Sequence, residues 1–440
     1  MLRWLFRIAY LLAVFSLIFN TVHLPVLGVS PNEFFVMLAL AIWGVAYVRY
    51  RGGSGWGVPA HPLWLPALLI LCGGLISSFG AVNLGSSFLI TLKLFFVLTV
   101  WVAMGILMVR WGDVYAVLRT FVAAMAFTSA IAVADRLTGW DWGGKISGRT
   151  ALFWNRSDGT VGHPVELAFV ACSALPVVLG LLLDEWNTRR RLWLVALYCI
   201  ALGVISAAIF LSGSVTGWAI AAMTVGLMFL IFVLRASNRV RFVLFWLVLL
   251  LVGTASLYLS EPTRWANFQF LLDFNLGRAS GLTGPQRAGL VDEAIGVIAQ
   301  NPLIGAGMDQ SGTGSISIFD KVTSETVHNV LIGGWLGGGL FAAIGIVACY
   351  AVGLITALHA MRHGFRTMNW VVIGLAVSVI GWILFDQTQP HLYHRNTWLV
   401  LALLFGLGYT IRIVLPRARF AAGANLNADS ARGNYLQAEP

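Results

Sequence analysis

His328 stands where a polar loop, Thr323 to Val327, gives way to a long apolar run. An imidazole at a helix N-terminus is held neutral, because the positive end of the helix dipole disfavours a second positive charge. Near physiological pH a neutral imidazole can take a proton from a hydroxyl. His328 is therefore a candidate general base or substrate-binding group, set against the simpler role of capping a helix at a membrane interface. Asn329, next to it, could orient His328 or a sugar, or could simply start the helix. Arg287 is the second candidate. Pro285 suits a first helical turn and Asn301-Pro302 ends a helix, and between them Arg287, Val291, Ala294, Ile295 and Ile298 recur at helical spacing. Arg287 thus shares the apolar face while Asp292 and Glu293 point away, which places its guanidinium to reach inward toward an anion.

The elements that must hold these groups are membrane helices. Hydrophobic residues make up 59% of the 440 and charged residues 10%, a balance no ordinary soluble domain shows. Apolar runs long enough to cross a ~30 Å hydrocarbon core recur from end to end. They define an all-α polytopic membrane protein of about twelve spans, at 7–22, 33–48, 63–80, 87–109, 114–134, 164–183, 192–210, 217–234, 242–259, 328–357, 370–385 and 396–414. Arg3 and Arg7 precede the first run as in a signal peptide, but no small-residue cleavage site follows, so it is expected to stay as a span. Arg49, Arg51, Arg110, Arg189 to Arg191, Arg235, Arg239, Arg241, Arg362, Arg366 and Arg412 fall on the same side as Arg3 and Arg7. By the positive-inside rule that side, with both termini, is cytoplasmic. Much of the formal net charge of +10 follows from that rule, and nucleic acid is not implied.

The opposite, external face carries its remaining loop cations in three loops only. Loop 135–163 holds Arg136, Lys145, Arg149 and Arg156; loop 260–327 holds Arg264, Arg278, Arg287 and Lys321; loop 386–395 holds Arg395. Either longer loops simply collect charge, with Asp141, Asp158 and Asp273 beside it, or these cations serve something anionic outside. Loop 260–327, between the ninth and tenth spans, is too long for a plain connection and is expected to be partly helical. Residues 1–420 form the membrane-embedded unit and 421–440 a polar, disordered cytoplasmic tail. Gly333, Gly334, Gly337, Gly338 and Gly339 offer small-x-x-x-small pairs for close helix packing, which would hold the helix after His328 rigidly. Lys93, Arg119, Glu166 and His359 lie near predicted span ends and could snorkel. There is no P-loop, no G-x-S-x-G and no chain of carboxylates across the midplane. The four cysteines lie in apolar segments without metal-ligand spacing and read as buried thiols.

GPQRAGLVDEAIGVIAQNPLIGAGM (Gly284–Met308) followed by VHNVLIGGWLGGGLF (Val327–Phe341) resembles the O-antigen ligase and O-antigen polymerase superfamily. Its members show an arginine opening an external helix, a turn like NPLIGAG, and an H-N pair opening the next span. GTVGHPVELAFVACSALP (Gly159–Pro176) is similar to the family segment in which a loop re-enters the membrane before the sixth span. Two positions depart. Val215 stands about where relatives carry an arginine after the seventh span, and Gly337 stands where many carry glutamate. The resemblance implies a glycosyltransferase of the bacterial inner membrane with a periplasmic active site and no metal or other cofactor. The donor would be O-antigen on undecaprenyl diphosphate and the acceptor a sugar hydroxyl of lipid A–core. His328 would be the base, Arg287, Arg264 and Arg156 the diphosphate ligands, and Asn329 a support. A diphosphate is already a good leaving group once arginines neutralise it. An O-antigen ligase fits best, since basic, compact loops suit a phosphorylated acceptor. A polymerase using a second lipid-linked glycan, or a protein O-oligosaccharyltransferase, shares the donor chemistry. A lipid-linked-glycan transporter is the alternative of another class.

Overall fold

The computed structural model describes residues 1–19, 30–50, 55–57, 61–147, 157–189, 191–235, 246, 284–310, 316–318, 321–323, 329–367, 369–388 and 395–409. The long elements among them are all helices: α1 (Leu2–Phe15), α2 (Pro31–Arg49), α3 (Trp64–Ser78), α4 (Leu84–Phe95), α5 (Val102–Arg110), α6 (Val114–Thr138), α7 (Trp142–Ser147), α8 (Pro164–Asp184), α9 (Leu192–Leu211), α10 (Val215–Arg235), α11 (Gly284–Gln300), α12 (Val330–Thr367), α13 (Trp370–Phe385) and α14 (Arg395–Tyr409). Two of the described stretches are π-helical: Phe96–Trp101, which joins α4 to α5, and Glu185–Arg189 after α8. Loop 260–327 also holds a hairpin of three-residue strands that the sequence pattern did not suggest, β1 (Ile316–Ile318) and β2 (Lys321–Thr323), with Ser317 opposite Val322.

Among the described residues eight stretches are long and apolar enough to cross a membrane: Leu2–Phe19, Pro31–Arg49, Leu84–Arg110, Val114–Thr138, Pro164–Asn187, Leu192–Leu211, Val215–Leu234 and Val330–Arg362, the last including a break at Gly339. The shorter apolar helices Trp64–Ser78, Trp370–Phe385 and Trp398–Leu407 lie among them. The chain is a polytopic helical membrane protein. The expected span 242–259 lies outside the described residues apart from Trp246. Lys93 is not near a span end: it lies about 13 Å along the helix from Leu84, on an exposed face.

Local sequence signals start several helices. Ser30 and Glu33 form a capping box ahead of Pro31, His163 Nδ1 accepts from Val165 N at 3.2 Å ahead of Pro164, and Asn369 caps α13. Each supplies an acceptor to backbone N–H groups that the helix cannot satisfy. One end of the bundle is tied by charge. Arg7 pairs with Asp113 at 3.1 Å, Arg3 donates to the Trp111 carbonyl, and the buried Glu185 receives Arg119 at 3.5 Å with Arg191 at 3.7 Å.

At the opposite end the turn before α8 runs inward. Thr160 is fully buried, its hydroxyl donates to the Ile18 carbonyl at 2.9 Å, and its amide donates to Thr128 Oγ1 at 3.1 Å. Thr128 lies about 15 Å along α6 from Thr138, so residues 157–162 dip into the bundle, as expected of the segment Gly159–Pro176.

The tenth span, expected as one helix over 328–357, is instead broken. Gly339 has φ 65° and ψ −163°, a region essentially restricted to glycine. Val330 N donates to the Asp386 carbonyl at 3.0 Å, while the Tyr350 hydroxyl donates to Asp386 Oδ2 at 3.2 Å. Gly334 faces Ile346 so closely that a Cβ there would strike it. The pairs Val330 with Tyr350 and Gly334 with Ile346 share a midpoint at residue 340. Residues 330–338 therefore rise as a half-helix of about 13 Å and 340–367 descend beside it, a helical hairpin with its apex at Gly339.

The turn Asn301–Met308 closes that apex. Ala306 N and Gly307 N donate to the Leu336 and Gly337 carbonyls at 2.7 and 3.1 Å, Leu340 N donates to the Leu303 carbonyl at 3.2 Å, and Trp335 Nε1 donates to the Pro302 carbonyl at 2.9 Å. Gly305 (φ 79°) and Gly307 (φ 107°) give this turn its shape. Its far end is fixed to α4, where Met308 N donates to Ser87 Oγ at 2.8 Å. α3 packs along α12 through glycine: a Cβ on Gly73 would meet the Gly338 carbonyl, and one on Gly345 would meet the Pro66 carbonyl. This is the close packing the glycine pattern implied, and in a membrane such packing replaces the missing hydrophobic drive between helices.

Gly339→Ala should be among the most damaging substitutions. Its backbone strain is of order 1–3 kcal/mol, and its Cβ would collide with the Leu303 carbonyl. The expected outcome is a clear fall in detergent-solubilised yield and Tm, whereas Gly203→Ala, with open space at its Cβ, should leave both unchanged.

Candidate functional site

The half-helix begins below its apex, and its N-terminal end is assembled from three elements. Asn329 is its cap: Oδ1 accepts from Ile332 N at 3.0 Å and Nδ2 donates to the Gln387 carbonyl at 3.3 Å. The helix-start role of Asn329 is thus the one seen. Val330 N is taken by the Asp386 carbonyl. Asp386 itself is 1% exposed. One carboxylate oxygen receives Tyr350, and the other, Oδ1, has no hydrogen-bond partner among the described residues. A buried carboxylate beside the positive end of a helix dipole is electrostatically well placed for a cationic or proton-donating group.

α11 lies against this half-helix. Ala294, Ile298 and Leu336 form a buried cluster, with Val291 and Ile332 packed on it. Asp292 and Glu293 are exposed, as the helical pattern required. Ile295 is a correction, being 51% exposed: it is one residue past Ala294, about 100° round the helix, and faces away. Arg287 lies about two turns before Ala294 in the register of the buried stripe; its side chain is outside the described residues. The C-terminal ends of α11 and the half-helix meet at the Asn301–Met308 turn, and their apolar faces meet over Ala294 and Leu336. Their N-terminal turns, one carrying Arg287 and the other opening at Asn329, therefore fall at the same end of the pair.

His328, Arg264 and Arg156 lie outside the described residues. The first turn of the half-helix lies at the level of Tyr350, about 15 Å along the helix from Leu340, because the chain reverses at Gly339. α8 approaches the same level, since Phe169 packs on Phe385 with ring centroids 5.0 Å apart. Val215 opens α10 behind Ser214, whose hydroxyl accepts from Gly217 N at 3.1 Å.

Sequence reasoning passed over Asp386 and Tyr350. Asp386 directly follows the apolar run of α13, an available signal, but as the first residue of a loop it looked exposed. Tyr350 offered no signal within its span. The loop cations also divide. Arg395 is paired with Glu33 at 2.7 Å, and the Lys145 ammonium lies over the Trp140 and Trp142 rings at 5.2 and 5.9 Å. Both thus have partners within the chain, as the simpler view of the loop charges allowed. Among the described residues no group of three His, Cys, Asp or Glu side chains could hold a metal ion.

Comparison with known proteins adds no relative: no family model matches the chain, and no curated protein matches it.

The Arg395–Glu33 pair joins α14 to α2 and is largely buried on the Arg395 side, at 16% side-chain exposure. Arg395→Gln should lower stability by about 1–3 kcal/mol because it leaves Glu33 Oε1 without its guanidinium partner, and the double variant with Glu33→Gln should recover part of that loss. Thermal unfolding of the three variants in detergent checks this.

Proposed function

We propose that this chain is a glycosyltransferase that draws on a polyprenyl-diphosphate-linked glycan, and within that class an O-antigen ligase. It would move O-antigen from undecaprenyl diphosphate to a sugar hydroxyl of lipid A–core at the periplasmic face of the bacterial inner membrane, with both chain termini cytoplasmic. The observation that carries this reading is the interlock between the two segments quoted for the resemblance. Gly284–Met308 and Val327–Phe341 are held to one another by the Asn301–Met308 turn, and Val330 in the second segment donates to the carbonyl of the buried Asp386.

In the proposed reaction His328 takes the proton of the acceptor hydroxyl as that oxygen attacks the anomeric carbon. The bond from this carbon to the phosphate oxygen breaks, and undecaprenyl diphosphate departs with the bonding pair. Arg287, Arg264 and Arg156 neutralise the diphosphate, with arginine forks matching its oxygens. The carbonyl of the buried Asp386 fixes Val330, two residues after His328 in the chain. A positioned base contributes about 10²–10⁴-fold, and no step requires a metal.

The test uses purified protein in detergent with undecaprenyl-diphosphate-linked glycan, with and without lipid A–core and with no nucleotide added, products being resolved on a gel. The expected result is glycan on lipid A–core only when that acceptor is present, at a rate that a metal chelator leaves unchanged. Lengthening of the lipid-linked glycan without acceptor would show a polymerase instead. His328→Ala should lower transfer by about 10²-fold or more at normal protein level. Full transfer by that variant would remove the histidine from the mechanism, and lipid-linked-glycan movement without any transfer would mark a transporter.

A further inference from the structure

The end of the bundle opposite the Arg7–Asp113 pair carries a built aromatic surface. The chain leaves α6 at Gly139, φ 69°, and is clamped by two carboxylates. Asp135 Oδ1 and Oδ2 accept from Trp142 N and Gly143 N at 2.8 and 2.9 Å, and Asp141 Oδ1 accepts from Gly144 N at 2.7 Å. Held this way, Trp140 and Trp142 stack with ring centroids 5.5 Å apart and planes 19° from parallel. The Lys145 ammonium is shared between both rings. The indoles nevertheless remain open, at 58% and 46% exposure. α7 backs onto the inward-dipping turn before α8, where Gly143 lies against the Gly159 carbonyl with no room for a Cβ.

Interfacial tryptophans could account for exposure alone, since single amphipathic rings suffice for an aromatic belt. Trp186 and Trp193, at the opposite end, are as exposed, at 60% and 63%. Neither has a stacked ring partner among the described residues. Fixing two indoles face to face and sharing an ammonium between them removes side-chain freedom that anchoring does not require. We propose that Trp140, Trp142 and Lys145 form a glycan-binding platform. The apolar C–H face of a pyranose lies on the indoles, while Lys145 Nζ and the nearby Asp141 carboxylate meet its hydroxyls. The role in transfer rests on the glycosyltransferase reading above; the binding itself does not. Two sources supply the same chemistry, the glycan of the donor and the glycan of the acceptor.

The test is saturation-transfer NMR on the full-length protein in detergent micelles, with two lipid-free probes. One is core oligosaccharide released from lipid A–core, and the other is O-antigen oligosaccharide released from its diphosphate. One of the two should bind, and which one assigns the source. Trp140→Ala/Trp142→Ala should weaken that binding about tenfold or more, while Trp140→Phe/Trp142→Phe should keep most of it. Lys145→Met, at an exposed side chain that folding does not need, should weaken it about threefold; this arm stands even if the alanine pair fails to accumulate. In the transfer assay the same variants should raise KM for the bound partner and leave kcat unchanged. Binding of neither oligosaccharide by the wild-type protein, or unchanged binding by Lys145→Met or by the alanine pair, overturns the platform. Oligosaccharide binding without transfer keeps the platform and removes the transferase reading; transfer with unaltered binding in the variants does the reverse.

Discussion

Backbone N–H and C=O groups at membrane depth have no water to bond, so irregular chain survives there only where protein supplies the partners. The hairpin at Gly339 depends on this. The carbonyls of Leu336 and Gly337, at the end of the half-helix, are met by the amides of Ala306 and Gly307. At its start, the amides of Val330 and Ile332 are met by the Asp386 carbonyl and the Asn329 side chain. Both ends of one short helix are thus closed by groups distant in sequence or by its own cap. Remove either closure and the continuous helix becomes the better solution, which would carry the start of α12 away from Asp386 and Tyr350.

The same logic applies to charge. A cation facing the external side counts toward an anion site only if nothing inside the protein already holds it. Arg395 has Glu33 and Lys145 has two indole faces, so both owe their positions to the fold. Arg287 lies in the register of a buried stripe whose later positions, Leu290, Ala294 and Ile298, are apolar.

The helices were largely legible because periodicity and length are local properties. The glycine run before Leu340 announced close packing, and the Asn301-Pro302 stop fell at the observed end of α11. The reversal at Gly339 was not legible. Five glycines at 333, 334 and 337–339 are equally compatible with a packed straight helix, and only the turn Asn301–Met308, brought from another part of the chain, selects which one breaks. Ile295 misled because three- and four-residue spacings overlap in a short helix, and the partner face of α12 decides between them. Asp386 was hidden for a related reason. Whether an acid after an apolar run is exposed depends on how far α13 reaches, and Trp370–Phe385 is short enough to leave its end at the level of Tyr350.

That depth bears on the chemistry proposed. A lipid-linked diphosphate enters from the bilayer with its phosphates near the headgroup level, and a base in open solvent there would activate water as readily as a sugar. In the proposed reaction a start of the half-helix below the Gly339 apex would give the base a drier setting, where arginine–phosphate attraction is also less screened. Two requirements of the proposed transfer without hydrolysis, a neutralised leaving group and limited water, would then be served by one feature of the backbone, the reversal at Gly339.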